Sequence, residues 1–167
     1  MGLDMYLYAR KYISKNDYSD RENIKVIPEY QAMESFAPKD FTKYSSFGGI
    51  SVTYPVGYWR KANAVHGWFV NVLADGVDEC QEIPIDRSYF EILKNSCEIV
   101  ISSDKDDMAE VAADHGLEPT NGFFFGGSDI DEYYIQDLKD TITIIKHIFS
   151  VIPHGDHEWQ FIYQASW

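Results

Sequence analysis

The sequence predicts an α+β fold in which a small, mostly antiparallel sheet includes both terminal strands and is packed by three to four helices. Two observations indicate this class: apolar residues alternate at both ends of the chain, and segments with helical periodicity lie between those ends. With 167 residues, of which 45% are hydrophobic, the chain is long enough to bury one core. We therefore predict one globular domain over residues 1–167.

The first third of the chain is predicted to hold three strands. Residues 2–13 form the first of them, because Leu3, Met5 and Leu7 alternate with polar or tyrosine residues. The other predicted elements of this part are a polar turn over 15–23, a short strand over 24–27, one helical turn near 30–36 and a strand over 47–54.

The rest of the chain is predicted to be mainly helical. Pro55 and Gly57 break the chain before a helix from about residue 58 to 73, and Gly76 closes that helix. The longest helix, over 130–150, carries an apolar stripe that consists of Tyr134, Ile135, Leu138, Ile142, Ile145 and Phe149. The other predicted elements are a strand over 83–85, a helix over 87–101 capped by Asp86, an acidic helix from Ser102 or Ser103 to His115 that ends at Gly116, a loop over 117–122, a strand or turn over 123–127, a turn over 151–157 and a closing strand over 158–165.

The segment YWRKANAVHGWFV, residues 58–70, holds the main candidates for ligand contact. One ridge of the predicted helix lies at the border between core and solvent, and it consists of Trp59, Asn63, His66 and Val70. There Trp59 can stack on a ring, Asn63 can recognise a hydrogen-bonding edge, and His66 can bind an anion or move a proton. The alternative is structural: His66 is hydrogen-bonded inside the core, and Trp59 anchors the sheet.

Two cations, Arg60 and Lys61, lie at the start of the predicted helix, where the helix dipole disfavours positive charge. Their position indicates a use such as holding a phosphate or carboxylate; alternatively, both side chains simply reach solvent. Nucleotide recognition combines such cations with aromatic rings. The predicted ligand-binding residues are Tyr58, Trp59, Arg60, Lys61, Asn63, His66, Arg10, Tyr8 and Tyr133.

The segment FFFGGSDIDEYY, residues 123–134, places a glycine pair ahead of a helix, a layout that can hold phosphate with backbone N–H groups. Asp129 and Asp131 can hold Mg²⁺ or Ca²⁺, but helix capping is the ordinary role of such acids. The segment HGDHE, residues 154–158, lacks the spacing of a zinc site. We therefore predict no metal and no cofactor.

Catalytic motifs are missing from the sequence: it contains no G-x-S-x-G, no C-x-x-C and no dinucleotide-binding glycine pattern. The sequence therefore favours a protein without catalytic activity, and we assign no catalytic residue. An enzyme that acts on a phosphorylated or glycosyl substrate stays open, with His66 as acid or base and Asp129 or Asp131 on a metal.

The net charge of −13 is unevenly distributed. Residues 1–61 hold nine Lys/Arg and seven Asp/Glu, whereas residues 62–167 hold five and twenty. This acidic part argues against duplex nucleic acid as a partner, because phosphate contacts need clustered cations. Its charge serves solubility, or it imitates nucleic acid and binds a basic host protein.

The sequence predicts a cytoplasmic protein with no membrane partner. No apolar run approaches the roughly 18 residues that span a membrane, and the first residues lack the features of a secretion signal. Cys80 and Cys97 show no pairing pattern, which fits a reducing compartment. Whether the chain forms a homo-oligomer is left open.

Four segments together resemble a family of small phage and prophage proteins: MGLDMYLY at the start, YWRKANAVHGWFV, GFFFGGSDIDEYYIQDL and the terminal YQASW. The resemblance covers the chain from end to end. It implies a phage-type accessory protein that works in the cytoplasm of a bacterial host, where small phage proteins often inhibit host defence. The family supplies no catalytic residues to this chain.

Three functions follow from these observations. The preferred one is an anti-defence protein that binds and sequesters a small, anionic, nucleotide-like immune messenger without turnover. The first alternative is an acidic inhibitor that binds a host defence protein directly, as a nucleic acid mimic does. The second alternative is the enzyme described above.

Overall fold

The structure is a computed structural model that describes residues 2–41, 48–120, 122, 126–153 and 155–167. The contacts within it divide the chain into two compact units. The first unit comprises Met1–Ala9 and Pro55–Trp167, and the second comprises Arg10–Tyr54. The single domain over residues 1–167 stays a prediction.

The described residues form helices and strands, which confirms the α+β class. The strands are β1 (Asp4–Ser14), β2 (Asn16–Asp17), β3 (Lys25–Val26), β4 (Gly49–Arg60), β5 (Ile83–Ile85) and β6 (Trp159–Ser166). The helices are α1 (Pro28–Glu34), α2 (Asn63–Leu73), α3 (Arg87–Ser102), α4 (Met108–Asp114) and α5 (Glu132–Val151).

The main sheet has four strands in the order β4-β1-β6-β5 and is antiparallel. The two terminal strands, β1 and β6, are neighbours in it, as the sequence predicts. In the β5–β6 pair, Ile83 lies opposite Tyr163 and Ile85 lies opposite Phe161. Both residues of each pair are buried, so the register places apolar side chains on the core face.

The core of the first unit lies between this sheet and helices α2 to α5. Met5 and Leu7 of β1 and Leu3 directly before it are fully buried, as the alternation predicts. The stripe of α5 is also confirmed: Leu138 and Ile145 lie in the core, and the other stripe residues are buried or packed against it.

The second unit is built around a small hairpin and one short helix. Strands β2 and β3 pair antiparallel, with Asn16 opposite Val26. Helix α1 starts at Pro28, where a proline costs nothing because the first helical N–H groups have no intrahelical partner. Tyr30 of α1 is buried, and its hydroxyl donates to Glu34 over 3.3 Å.

The predicted caps are confirmed at α3 and at the end of α4. Asp86 accepts a hydrogen bond from the Ser88 N–H over 2.8 Å, and Gly116 follows α4 with φ of 66°. The predicted start of α4 at Ser102 or Ser103 is wrong, because Ser103 ends α3 instead. Its backbone N–H and its hydroxyl both donate to the Val100 carbonyl.

The helix predicted from about residue 58 begins at Asn63, because β4 continues to Arg60. Pro55 and Gly57 lie inside that strand without ending it. β4 is an edge strand of the described sheet, and an edge strand tolerates a proline that donates no hydrogen bond. A Cβ at Gly57 would lie 2.8 Å from Ile144 Cγ2, so glycine allows α5 to approach the strand closely.

Helix α2 is buried on all sides over Asn63 to Val70, so the ridge predicted at the border between core and solvent does not exist. Helix α2 packs against the core on one side, and the loop after α4 contacts it on another side. There a Cβ at Gly67 would lie 2.3 Å from the Thr120 hydroxyl oxygen, which shows how closely the loop after α4 covers the helix.

Candidate functional site

A cleft of about 480 Å³ opens in the first unit where β4 passes into α2, and the start of α5 forms its other wall. It brings together segments that are far apart in the sequence. Its lining residues are Arg60, Lys61, Asn63, Ala64, Gly126, Gly127, Asp129, Asp131, Tyr133, Tyr134 and Asp137.

Lys61 adopts a left-handed backbone conformation in the wall of the cleft, with φ of 62°. A non-glycine residue in this region is strained, and such strain persists where surrounding contacts impose it. The Lys61 N–H donates to the Leu3 carbonyl over 2.8 Å. Opposite it, Gly126 has φ of 97°, and a Cβ there would lie 3.3 Å from Lys61 Cβ. The Lys61 position is therefore fixed from two sides.

Asn63 ties the cleft wall to the loop on both sides of residue 121. Its amide nitrogen donates to the Gly127 carbonyl over 2.6 Å, and its amide oxygen accepts from the Thr120 N–H over 3.2 Å. The side chain is buried. These two bonds hold loop backbone, so Asn63 shapes the cleft; the sequence alone predicts that it recognises a hydrogen-bonding edge of a ligand.

Three aspartates line the cleft: Asp129, Asp131 and Asp137. The last two have different roles. Asp131 caps α5, as the ordinary interpretation holds: its carboxylate accepts from the backbone N–H groups of Tyr133 and Tyr134. Burial is the main reason why the pKa of Asp137 is raised to about 6, and the nearby carboxylates of Asp140 and Asp131 raise it further. Asp137 thus exchanges a proton near neutral pH.

We expect Asp137→Asn to stabilise the protein relative to wild type at pH 8 but not at pH 4. The folded pKa lies above the ordinary 3.8, so the folded state binds this proton more tightly than the unfolded chain does. That contribution is complete below about pH 3.8 and is lost as the pH rises through about 6. Melting temperatures of both proteins between pH 4 and 8 measure it. A difference that stays constant over this range would contradict the assignment.

The structure brings four of the nine predicted site residues together in the cleft: Arg60, Lys61, Asn63 and Tyr133. Tyr133 is 72% exposed and lies outside the core stripe of α5. Tyr8 and Tyr58 lie on the sheet outside this lining, and Arg10 belongs to the second unit. The remaining two, Trp59 and His66, lie in the core.

Trp59 lies on β4 instead of on a helix, which corrects the predicted placement. The ring is only 4% exposed and packs against Phe69, with 6.2 Å between ring centroids. Its indole N–H donates to the Thr141 hydroxyl over 2.9 Å. Trp59 therefore joins β4 to α2 and α5, the sheet-anchoring role that the sequence left as the alternative.

His66 is 1% exposed and lies in a buried hydrogen-bonded network. Its Nδ1 is 2.7 Å from the Tyr163 hydroxyl, and its Nε2 is 2.9 Å from the Asp78 carboxylate. Burial, and after it the Asp78 carboxylate, raises the pKa of Tyr163 well above its ordinary value. With the phenol as donor to Nδ1, the Nε2–H donates to Asp78. His66 is thus hydrogen-bonded inside the core, which is the structural role that the sequence left as the alternative.

Two residues that shape the cleft were not among the predicted ones. Asp137 follows Tyr134 by three positions on α5, so a polar residue beside the apolar stripe was the available signal. Gly126 carries no chemical signal beyond membership of the glycine pair, and the neighbouring residues 123–125 lie outside the described part of the chain.

Among the residues that the structure describes, no group of three or more His, Cys, Asp or Glu is placed to hold a metal ion. His154, from the candidate metal segment 154–158, lies outside that part. In the same described residues, the search for a helix able to cross a membrane finds none of sufficient length and apolar character.

Comparison with known proteins finds no family model, no curated protein and no solved structure that matches the chain.

Proposed function

We propose that the protein binds a small, anionic, nucleotide-like ligand in the cleft and holds it without turnover. The observation that carries this proposal is the convergence of two cations, Arg60 and Lys61, with the exposed ring of Tyr133 in one cleft. Cations and an aromatic ring at one site are what recognition of a phosphate and a base requires.

The lining supports separate phosphate groups more readily than a polyphosphate chain. Lys61 has no ion-pair partner among the described residues, and the Arg60 Nε lies 4.0 Å from the Asp4 carboxylate. The lining of the cleft thus contains these two cations together with three aspartates. Carboxylates repel a polyphosphate but accept hydrogen bonds from ribose hydroxyls and base amino groups. A phosphomonoester or phosphodiester that carries sugar and base fits this balance.

The biological setting of the proposal comes from the resemblance to small phage and prophage proteins. In that setting the ligand is an immune messenger of a bacterial host, and the protein is a cytoplasmic anti-defence factor that sequesters it. Capture alone requires neither a general base nor a metal, so the cleft needs only affinity.

Two alternatives keep specific support. Asp137, with its pKa raised to about 6, suits proton transfer near neutral pH and favours an enzyme acting on a phosphorylated or glycosyl substrate. The twenty Asp/Glu of residues 62–167 favour an acidic inhibitor of a host defence protein. Both alternatives predict results that differ from those of sequestration.

We expect Lys61→Gln to weaken binding of the ligand by roughly tenfold, because a charge-assisted hydrogen bond is worth about 1.5–3 kcal/mol. A thermal-shift screen against nucleotides, cyclic dinucleotides and ADP-ribose derivatives identifies the ligand, and calorimetry with the best hit measures the affinity. Lys25→Gln, which makes the same charge change at an exposed residue outside the cleft, is the matched control.

Recovery of the ligand intact after incubation supports sequestration, and recovery of an altered ligand supports the enzyme. A screen without any thermal shift contradicts the proposal. Salt-sensitive capture of a host protein would then favour the acidic inhibitor. Equal weakening by both lysine variants would mean that Lys61 acts only through the overall charge.

A further inference from the structure

We propose that the ligand site continues from the cleft onto the sheet, where three tyrosine rings hold a second base of a dinucleotide-sized ligand. This inference rests on the proposed function and adds the size class of the ligand. The three residues, Tyr6, Tyr8 and Tyr58, are called the tyrosine face below.

Alternation along β1 turns part of the tyrosine face away from the core. Met5 and Leu7 are fully buried, and Tyr6 and Tyr8 alternate with them, so their side chains point to the opposite side of the sheet. The two tyrosine rings are nearly parallel, with 14° between their planes and 6.0 Å between their centroids.

The neighbouring strand β4 contributes the third ring. Trp59 points into the core, so the adjacent Tyr58 points outward, and half of Tyr58 is exposed. Its ring centroid lies 5.4 Å from that of Tyr6. Its hydroxyl donates to the Asp4 carboxylate, which fixes the ring on the sheet.

Arg60 connects the tyrosine face with the cleft. It lines the cleft, and its Nε lies 4.0 Å from the same Asp4 oxygen that accepts from the Tyr58 hydroxyl. A phosphate held at Arg60 therefore has Tyr133 available on the cleft side and Tyr58 available on the sheet side.

The chemistry of this surface points to two bases rather than one or many. Aromatic rings on a four-stranded sheet stack on unpaired bases whatever the base sequence, because every base has a π-face. A long strand needs a row of cations along its phosphates, whereas this surface offers Arg60 and Lys61 in a chain with a net charge of −13. The ligand that matches is a dinucleotide, linear or cyclic.

The test compares 5′-AMP with the linear dinucleotide pApA, and 5′-GMP with pGpG, by calorimetry on the full chain. We expect each dinucleotide to bind at least tenfold more tightly than its mononucleotide, since stacking of one base is worth about 1–3 kcal/mol. Tyr58→Leu should remove that advantage. Tyr58→Phe, which keeps the ring and loses only the hydroxyl, should retain it.

Tyr18→Leu is the matched control, because Tyr18 has similar exposure to Tyr58 and lies in the second unit. Tyr6→Leu gives an independent test should Tyr58→Leu lower the melting temperature. Equal affinity of wild type for mono- and dinucleotides overturns the extension but leaves the cleft proposal intact. A Tyr58→Leu protein that keeps the full dinucleotide advantage also overturns it, and binding of neither nucleotide size overturns both proposals.

Discussion

Trp59→Ala should lower the free energy of unfolding by about 4 kcal/mol, within the range measured when a buried tryptophan is truncated. The ring lies in the core against Phe69, and its indole N–H donates to Thr141. Truncation leaves a cavity between β4 and α5 and removes the donor to the buried Thr141 hydroxyl, which keeps its own hydrogen bond to the Asp137 carbonyl. Urea unfolding followed by circular dichroism measures the change.

Tyr133→Ala is the comparison variant for Trp59→Ala, because it removes an exposed aromatic ring instead of a buried one. Tyr133 is exposed in the cleft, so its removal should weaken ligand binding and change stability by less than about 0.5 kcal/mol. A Trp59→Ala protein that is as stable as wild type but deficient in ligand binding would restore the stacking role that the sequence suggested.

His66→Ala should cost about 3 kcal/mol of unfolding free energy, because the buried Tyr163 hydroxyl and the partly buried Asp78 carboxylate each lose a hydrogen bond. Tyr163 loses the acceptor of its hydroxyl, and Asp78 loses the nearer of its two described donors, since the Trp167 indole N–H is 3.3 Å away. Denaturant unfolding at neutral pH gives the difference.

Tyr163→Phe is the milder variant of the same network. It deletes one hydroxyl and keeps the ring, which stacks on Phe69 with 4.1 Å between centroids, so a cost of about 1 kcal/mol is expected. The double variant should be less unstable than the sum of the two singles, because both remove the same bond. Strict additivity would show that His66 and Tyr163 do not stabilise each other.

Elements whose signals are local in the sequence were predictable. The strands at both ends, the strand Ile83–Ile85 and the long helix α5 each carry their own periodicity and their own end signals. Asp86 and Asp131 cap helices because the carboxylate needs only the N–H groups two or three residues ahead.

The boundary between β4 and α2 was not predictable in the same way. Pro55 and Gly57 end many elements, and only the position of β4 at the sheet edge and the approach of α5 make them acceptable within a strand. The turn then occurs at Lys61, a residue type that rarely adopts a left-handed conformation. Trp59 therefore lies on β4 instead of on α2, and the burial of α2 removes the rest of the predicted ridge from the border with solvent.

The cleft itself was predictable only in part. Arg60 and Lys61 were recognised because positive charge beside a helix start is unusual, and that signal is local. Asp137 joins them only after α5 has docked, and its raised pKa depends on burial and on nearby carboxylates. No spacing in the sequence encodes either condition.

Helix α2, buried on all sides over Asn63 to Val70, has a consequence for how this protein diverges among its relatives. Each of its positions is constrained by packing, so the segment should stay nearly invariant even where the ligand changes. The side chains of Arg60, Lys61 and Tyr133 are exposed, so packing constrains their identity less. In relatives of the same fold, α2 should therefore vary less than the exposed residues beside it.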